Sequence, residues 1–158
     1  MHSLAHAIEL TEQIRASLEG EVAVARQERV LIRRMDSDGL NARAAKRAEF
    51  NTRTAGLMVS LGQTLGSAAL ALGVTEMTMD ALLSHAPVEG RKMTKLLAEV
   101  RALAAKLSEL DALNRMLSQR ALSYVRAHLA VLSPKPAAYD RRGSGAQADR
   151  TTTFVRVA

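Results

Sequence analysis

The sequence of 158 residues contains no cysteine, no tryptophan, two phenylalanines, two tyrosines and three prolines. Without cysteine there can be no disulfide, no thiolate metal ligand and no cysteine nucleophile. With so few aromatics the core has to be built from Leu, Ala, Val, Ile and Met, which favours helix over strand. A chain of this length fits one domain and can bury roughly 68–70% of its unfolded surface. The opening stretch also lacks the marks of a secretory signal, because His2, Ser3, His6 and Glu9 interrupt any apolar run.

Catalytic signatures are missing as well. There is no Gly-rich phosphate loop, paired-histidine zinc motif, nucleophile elbow or calcium-loop spacing, so neither an enzymatic reaction nor a cofactor is expected. His2 and His6 would share a helix face, but an exposed pair near a terminus seldom forms a metal site. His85 and His128 stand alone. Thr54 to Thr75 runs without a charge and includes a Gly62-x-x-x-Gly66 spacing. Its glycines and hydroxyls dilute it too far for membrane insertion, and it reads as a buried helix packed closely at its small residues.

Lys and Arg number 22 against 16 Asp and Glu, a net charge of +6. Half of that excess falls in residues 134–158, and the rest is spread over mixed-sign helix. Without aromatics interleaved for base stacking, no nucleic-acid partner is expected. The clusters Arg26, Arg29, Arg33, Arg34 and Arg43, Lys46, Arg47, Arg53 read mostly as solvated faces, with Lys46 to Arg53 able to form a basic surface.

What the chain does have is helical periodicity. Leu4, Ile8, Thr11, Ile14, Leu18, Val22, Ala25 and Ile32 lay one apolar stripe along a helix from about Ser3, a plausible N-cap, to Arg34. Met35 to Gly39 makes a tight corner that Asp36 or Ser37 can cap. The stripe resumes through Leu40, Ala44, Arg47, Phe50, Leu57, Leu61, Leu65 and Leu72, with Gly73 as its stop. Thr78 caps a short helix to His85, which Pro87 to Gly90 ends, and there the chain reverses.

From Met93 the spacing alternates three and four through Leu96, Val100, Leu103, Leu107, Leu110, Asn114, Leu117, Ala121, Tyr124, His128 and Val131. A helix over about Arg91 to Leu132 would be roughly 63 Å long. A second apolar set, Leu113, Leu122, Val125, Leu129 and Leu132, flanks its C-terminal half, either as a wide buried face or as a surface awaiting a partner. Asn114 and His128 occupy seam positions, where a polar group can fix register or simply bond a neighbouring backbone. Ser133-Pro-Lys-Pro136 stops the helix. The order predicts an all-α fold: an elongated antiparallel bundle of three long amphipathic helices plus one short helix over residues 1–133, then a flexible basic tail over 134–158.

This order resembles the FlgN family of flagellar export chaperones over nearly the whole length. The resemblance rests on the opening helix, the second helix ending at Leu72-Gly73 and the Thr78-led short helix. It rests above all on Leu110-Asp-Ala-Leu-Asn114-Arg-Met-Leu117 and the Tyr139-Asp-Arg-Arg-Gly143 tail. The family pattern has two asparagines three apart where this chain has Asp111 and Asn114. The resemblance implies a cytoplasmic chaperone that binds C-terminal helices of the hook–filament junction proteins FlgK and FlgL and brings them to the flagellar export gate. The partner-binding residues are then expected to be Asn114, Leu117, Leu122, Val125, Leu129, Leu132 and Tyr139, with the tail able to cover the groove when no client is present. The competing reading is a structural coiled coil that pairs as a homodimer.

Overall fold

The computed structural model describes residues 2–132. Among them are four helices and no strand: α1 (His2–Arg34), α2 (Ser37–Ala71), α3 (Met79–His85) and α4 (Pro87–Leu132). The chain divides into two compact units, Met1–Leu122 and Ser123–Ala158, so α4 belongs to the first as far as Leu122 and to the second from Ser123. The expected tail over 134–158, and Tyr139 within it, lie outside the described residues.

Both long helices of the first hairpin end in the same hydrogen-bond pattern. At the close of α1, Asp36 N donates to Leu31 O (3.0 Å) and Met35 N to Ile32 O (3.1 Å), a Schellman motif with Met35 in the left-handed region at φ 52°. Asp36 then caps α2, its carboxylate accepting from Gly39 N at 2.9 Å. At the far end of α2, Val74 N donates to Ala69 O and Gly73 N to Leu70 O, this time with glycine in the left-handed position at φ 68°. Ser3, the expected N-cap, sits inside α1 instead, because the helix already begins at His2.

The expected break at Pro87 to Gly90 is corrected: these residues are the first turn of α4, and the expected reversal lies before them. Proline has the φ a first helical residue needs and lacks only an N–H that would be unpaired there anyway. Ala86 alone separates the helices, its N–H donating back to Leu82 O at 2.8 Å while its carbonyl accepts from Gly90 N at 2.8 Å. Gly90 is buried, and a Cβ there would lie 3.0–3.2 Å from atoms of Leu82 and Leu83. Glycine is what lets α3 fold down against the start of α4.

Two apolar clusters stack along α1. Leu4, Ala7 and Ile8 meet Ala68 of α2, Leu82 of α3 and Met93 and Leu96 of α4. Further along, Ile14, Leu18, Val22 and Ala25 meet Phe50 of α2 and Leu107 and Leu110 of α4. Thr11, fully buried near Met93, gives its hydroxyl proton to Ala7 O at 2.8 Å. These pairings run α2 opposite to α1. They run α4 in the same sense as α1, with Thr11 beside Met93, Arg15 beside Glu99 and Ala25 beside Asn114.

The glycine-rich half of α2 departs from expectation. Its packed side is made by Leu57, Leu61, Leu65, Ala68 and Ala69. Gly56, Gly62 and Gly66 face outward, where a Cβ would touch nothing within 4 Å among the described residues, so no close approach within them compensates the helix-weakening effect of these glycines. Gly62→Ala is therefore expected to stabilise the protein by about 0.8–1 kcal/mol in urea unfolding, whereas tight packing at this face would make it destabilising. Met35→Gly should likewise add about 1 kcal/mol by relieving the left-handed conformation at an exposed position. Equal or lower stability would show that Met35 is not strained.

Candidate functional site

In the first unit, a charge network crosses the apolar packing between α1, α2 and α4. Glu21 of α1 and Arg43 of α2 are each 7% exposed and form an ion pair. The same Glu21 oxygen accepts from Arg47 at 2.7 Å, and the other arm of Arg47 reaches Asp111 of α4 at 2.5 Å. Arg43 also donates to Glu28 at 3.2 Å, and the Arg47 guanidinium lies 5.4 Å from the centre of the Phe50 ring. Burial by itself would lower the pKa of Arg47, but hydrogen bonds and Coulomb attraction from Glu21 and Asp111 outweigh it and hold it above the ordinary arginine value.

Part of this network was legible in the sequence. Arg47 falls on the α2 stripe between Ala44 and Phe50, and Glu21 lies three residues after Leu18 and four before Ala25, inside the buried arc. A charge at a stripe position signals a buried partner. Arg43 and Arg47 are accordingly not the solvated face expected of them, although Lys46 and Arg53 are exposed. An open cleft of about 440 Å³ runs over the network, lined by Glu28, Arg43, Arg47, Asp111, Asn114 and Arg115 among others. Its acids are already engaged by arginines, which leaves no free carboxylate pair for acid–base work.

Asn114 closes the buried part of the α4 seam. It is 3% exposed; its Nδ2 donates to Ala25 O at 2.8 Å and its Oδ1 accepts from Arg29 Nε at 3.3 Å. Both ends of the amide are thus used within the chain, joining α4 to α1. Past Asn114 the seam opens: Leu117 and Ala121 are half-buried and Tyr124 is exposed, and beside the seam Leu113, Met116 and Leu122 are exposed too.

In the second unit, every described residue from Ser123 to Leu132 is exposed. Val125, Leu129 and Leu132, spaced four and three apart, form one apolar strip there, with relative exposures of 37%, 56% and 77%. Tyr124 and His128 pack on each other one turn apart, ring centres 4.2 Å apart, and His128 Nδ1 lies 3.1 Å from Tyr124 O. Among the described residues no group of His, Asp and Glu could hold a metal ion, and no helix is long and apolar enough to cross a membrane.

Long helices tied by a buried ion pair, with no strand among the described residues, define an all-α protein. The model of one protein family, described as FlgN protein, matches residues 1–147. The chain belongs to the FlgN family, a family of flagellar export chaperones that binds flagellar proteins and is not enzymatic. Comparison with curated proteins and with solved structures returns no match.

The network yields a contrast in stability. Glu21→Ala takes one of two carboxylates from the buried Arg43, which keeps only Glu28, and one of two from Arg47, and should cost about 3 kcal/mol in urea unfolding. Glu12→Ala removes the exposed pair with Lys92 (2.9 Å) and should cost less than about 1 kcal/mol. Similar losses at the two positions would mean that the Glu21 network does not anchor the helices.

Proposed function

We propose that the chain is a cytoplasmic, substrate-specific chaperone of flagellar type III export. It binds C-terminal helices of hook–filament junction proteins of the FlgK and FlgL type and delivers them, unassembled, to the export gate. The observation that carries this reading is the set of large apolar side chains left exposed on α4: Leu122 at 55%, then Val125, Leu129 and Leu132. An amphipathic client helix laid along such a strip buries apolar anchors at three- and four-residue spacing. Leu117 begins the strip, and Tyr139 contributes from outside the described residues.

Asn114 serves this surface without touching the client, by fixing α4 to α1 through Ala25 O and Arg29. The helices α1 and α2 act as the antiparallel frame that presents α4. The competing reading, a structural coiled-coil homodimer, draws on the same observation, since Leu117, Tyr124 and Val131 continue the heptad spacing into exposed helix.

Calorimetric titration against C-terminal fragments of FlgK- and FlgL-type proteins from the same organism tests the proposal. Saturable binding at micromolar affinity or tighter is expected. Leu122→Asp and Leu129→Asp should each weaken it by at least about tenfold, the worth of one apolar side chain kept from burial, with helicity by circular dichroism unchanged. A folded protein that binds neither fragment, and that light scattering shows to be a dimer, would give the assembly reading first place.

A further inference from the structure

The charges on α4 are not evenly distributed. Between Pro87 and Asp111 the helix carries Glu89, Glu99, Glu109 and Asp111 among its bases, but from Ala112 to Leu132 it has Arg115, Arg120 and Arg126 and no acidic residue. The ion pairs formed among the described residues use none of these three arginines, and all three are exposed.

Their placement on the helix separates them. Arg126 follows Leu122 by four residues and precedes Leu129 by three, and Arg115 precedes Leu122 by seven. Both therefore stand along one edge of the apolar strip. Arg120 lies two residues before Leu122, which turns it toward the opposite side of the helix.

Building on the docking reading above, we infer that the occupant of this strip is an amphipathic helix of another protein whose apolar face is flanked by Asp and Glu. Those carboxylates meet Arg115 and Arg126 while its apolar anchors cover Leu122, Val125 and Leu129.

Charge sign decides against the other occupants. A second copy would bring the same acid-free stretch against itself, arginine edge near arginine edge. Residues 134–158 carry five basic and two acidic side chains, a net +3 that matches a basic edge less well than an acidic helix does. A lipid surface is the remaining basic-helix partner, but recognition of anionic lipid draws on clusters of about four to eight bases. Here two arginines border the strip, and the stretch has no tryptophan to sit at the interface. Opposite charge at the rim also speeds encounter and rejects wrong partners more than it adds affinity.

The test uses the full chain and two synthetic helical peptides with leucine at every a and d position, one with Glu and the other with Lys at e and g. Fluorescence anisotropy should show the Glu peptide binding at least about tenfold more tightly at low salt, a preference that shrinks as salt rises. Arg115→Glu combined with Arg126→Glu should remove or invert the preference, and Arg120→Glu, off the strip, should leave it within about twofold. Equal binding of both peptides, lost in Leu129→Asp, would overturn the acidic occupant while leaving α4 as a docking surface. Failure of both peptides to bind would overturn this inference, and the FlgK- and FlgL-type fragments then decide the chaperone reading independently. Binding to phosphatidylserine vesicles that the Glu peptide cannot compete away would overturn the inference in favour of a membrane surface.

Discussion

A carboxylate withdrawn from water has to be met by positive charge, and Glu21 is met twice, by Arg43 and by Arg47. Leucine packing is nearly indifferent to a small slide or rotation of one helix past another. A buried ion pair is not, because a displaced partner leaves an uncompensated charge in a medium that solvates it poorly. Arg47 extends the constraint to α4 through Asp111, so one arginine on α2 touches both of the helices that flank it. Asn114 adds a second tie one turn further along α4 by donating to Ala25 O. Between them these contacts fix the register in which the two apolar clusters along α1 close.

The same contacts mark where burial on α4 ends. Met93, Leu96, Leu107, Leu110 and Asn114 are buried on the seam, whereas Leu117 is half-buried and Leu122 is open. Nothing in residue type separates Leu110 from Leu122; the difference is the side of the helix each occupies. Leu110 lies on the three-and-four seam that meets α1, whereas Leu122 belongs to the flanking set, of which Leu113, level with the buried part of α4, is exposed too.

Helices were the most legible part of the sequence, because their signals are local. The three-and-four spacing, Asp36 and Thr78 as caps and Gly73 as a stop all act within a turn or two of the residue concerned. Pro87 misled because proline both ends helices and begins them, and which it does depends on the preceding cap at Ala86. Gly62 and Gly66 misled because a small-residue spacing suits close packing without stating that a neighbour is there. Of the residues expected to meet a partner, Leu122, Val125, Leu129 and Leu132 are exposed and Asn114 is not. The heptad put Asn114 on the seam, but its choice of Ala25 O and Arg29 is a tertiary fact, as is the meeting of Glu21 with Arg43 across 22 residues of sequence.

Hydrogen exchange on the full chain, free and saturated with a C-terminal fragment of a FlgK- or FlgL-type protein, tests the central claim most directly. Amides of α4 between Leu117 and Leu132 should exchange quickly in the free protein and gain protection on binding. Those from Met93 to Asn114 should be protected in both states. Protection gained instead along the exposed glycine face of α2, with residues 117–132 unchanged, would contradict the account.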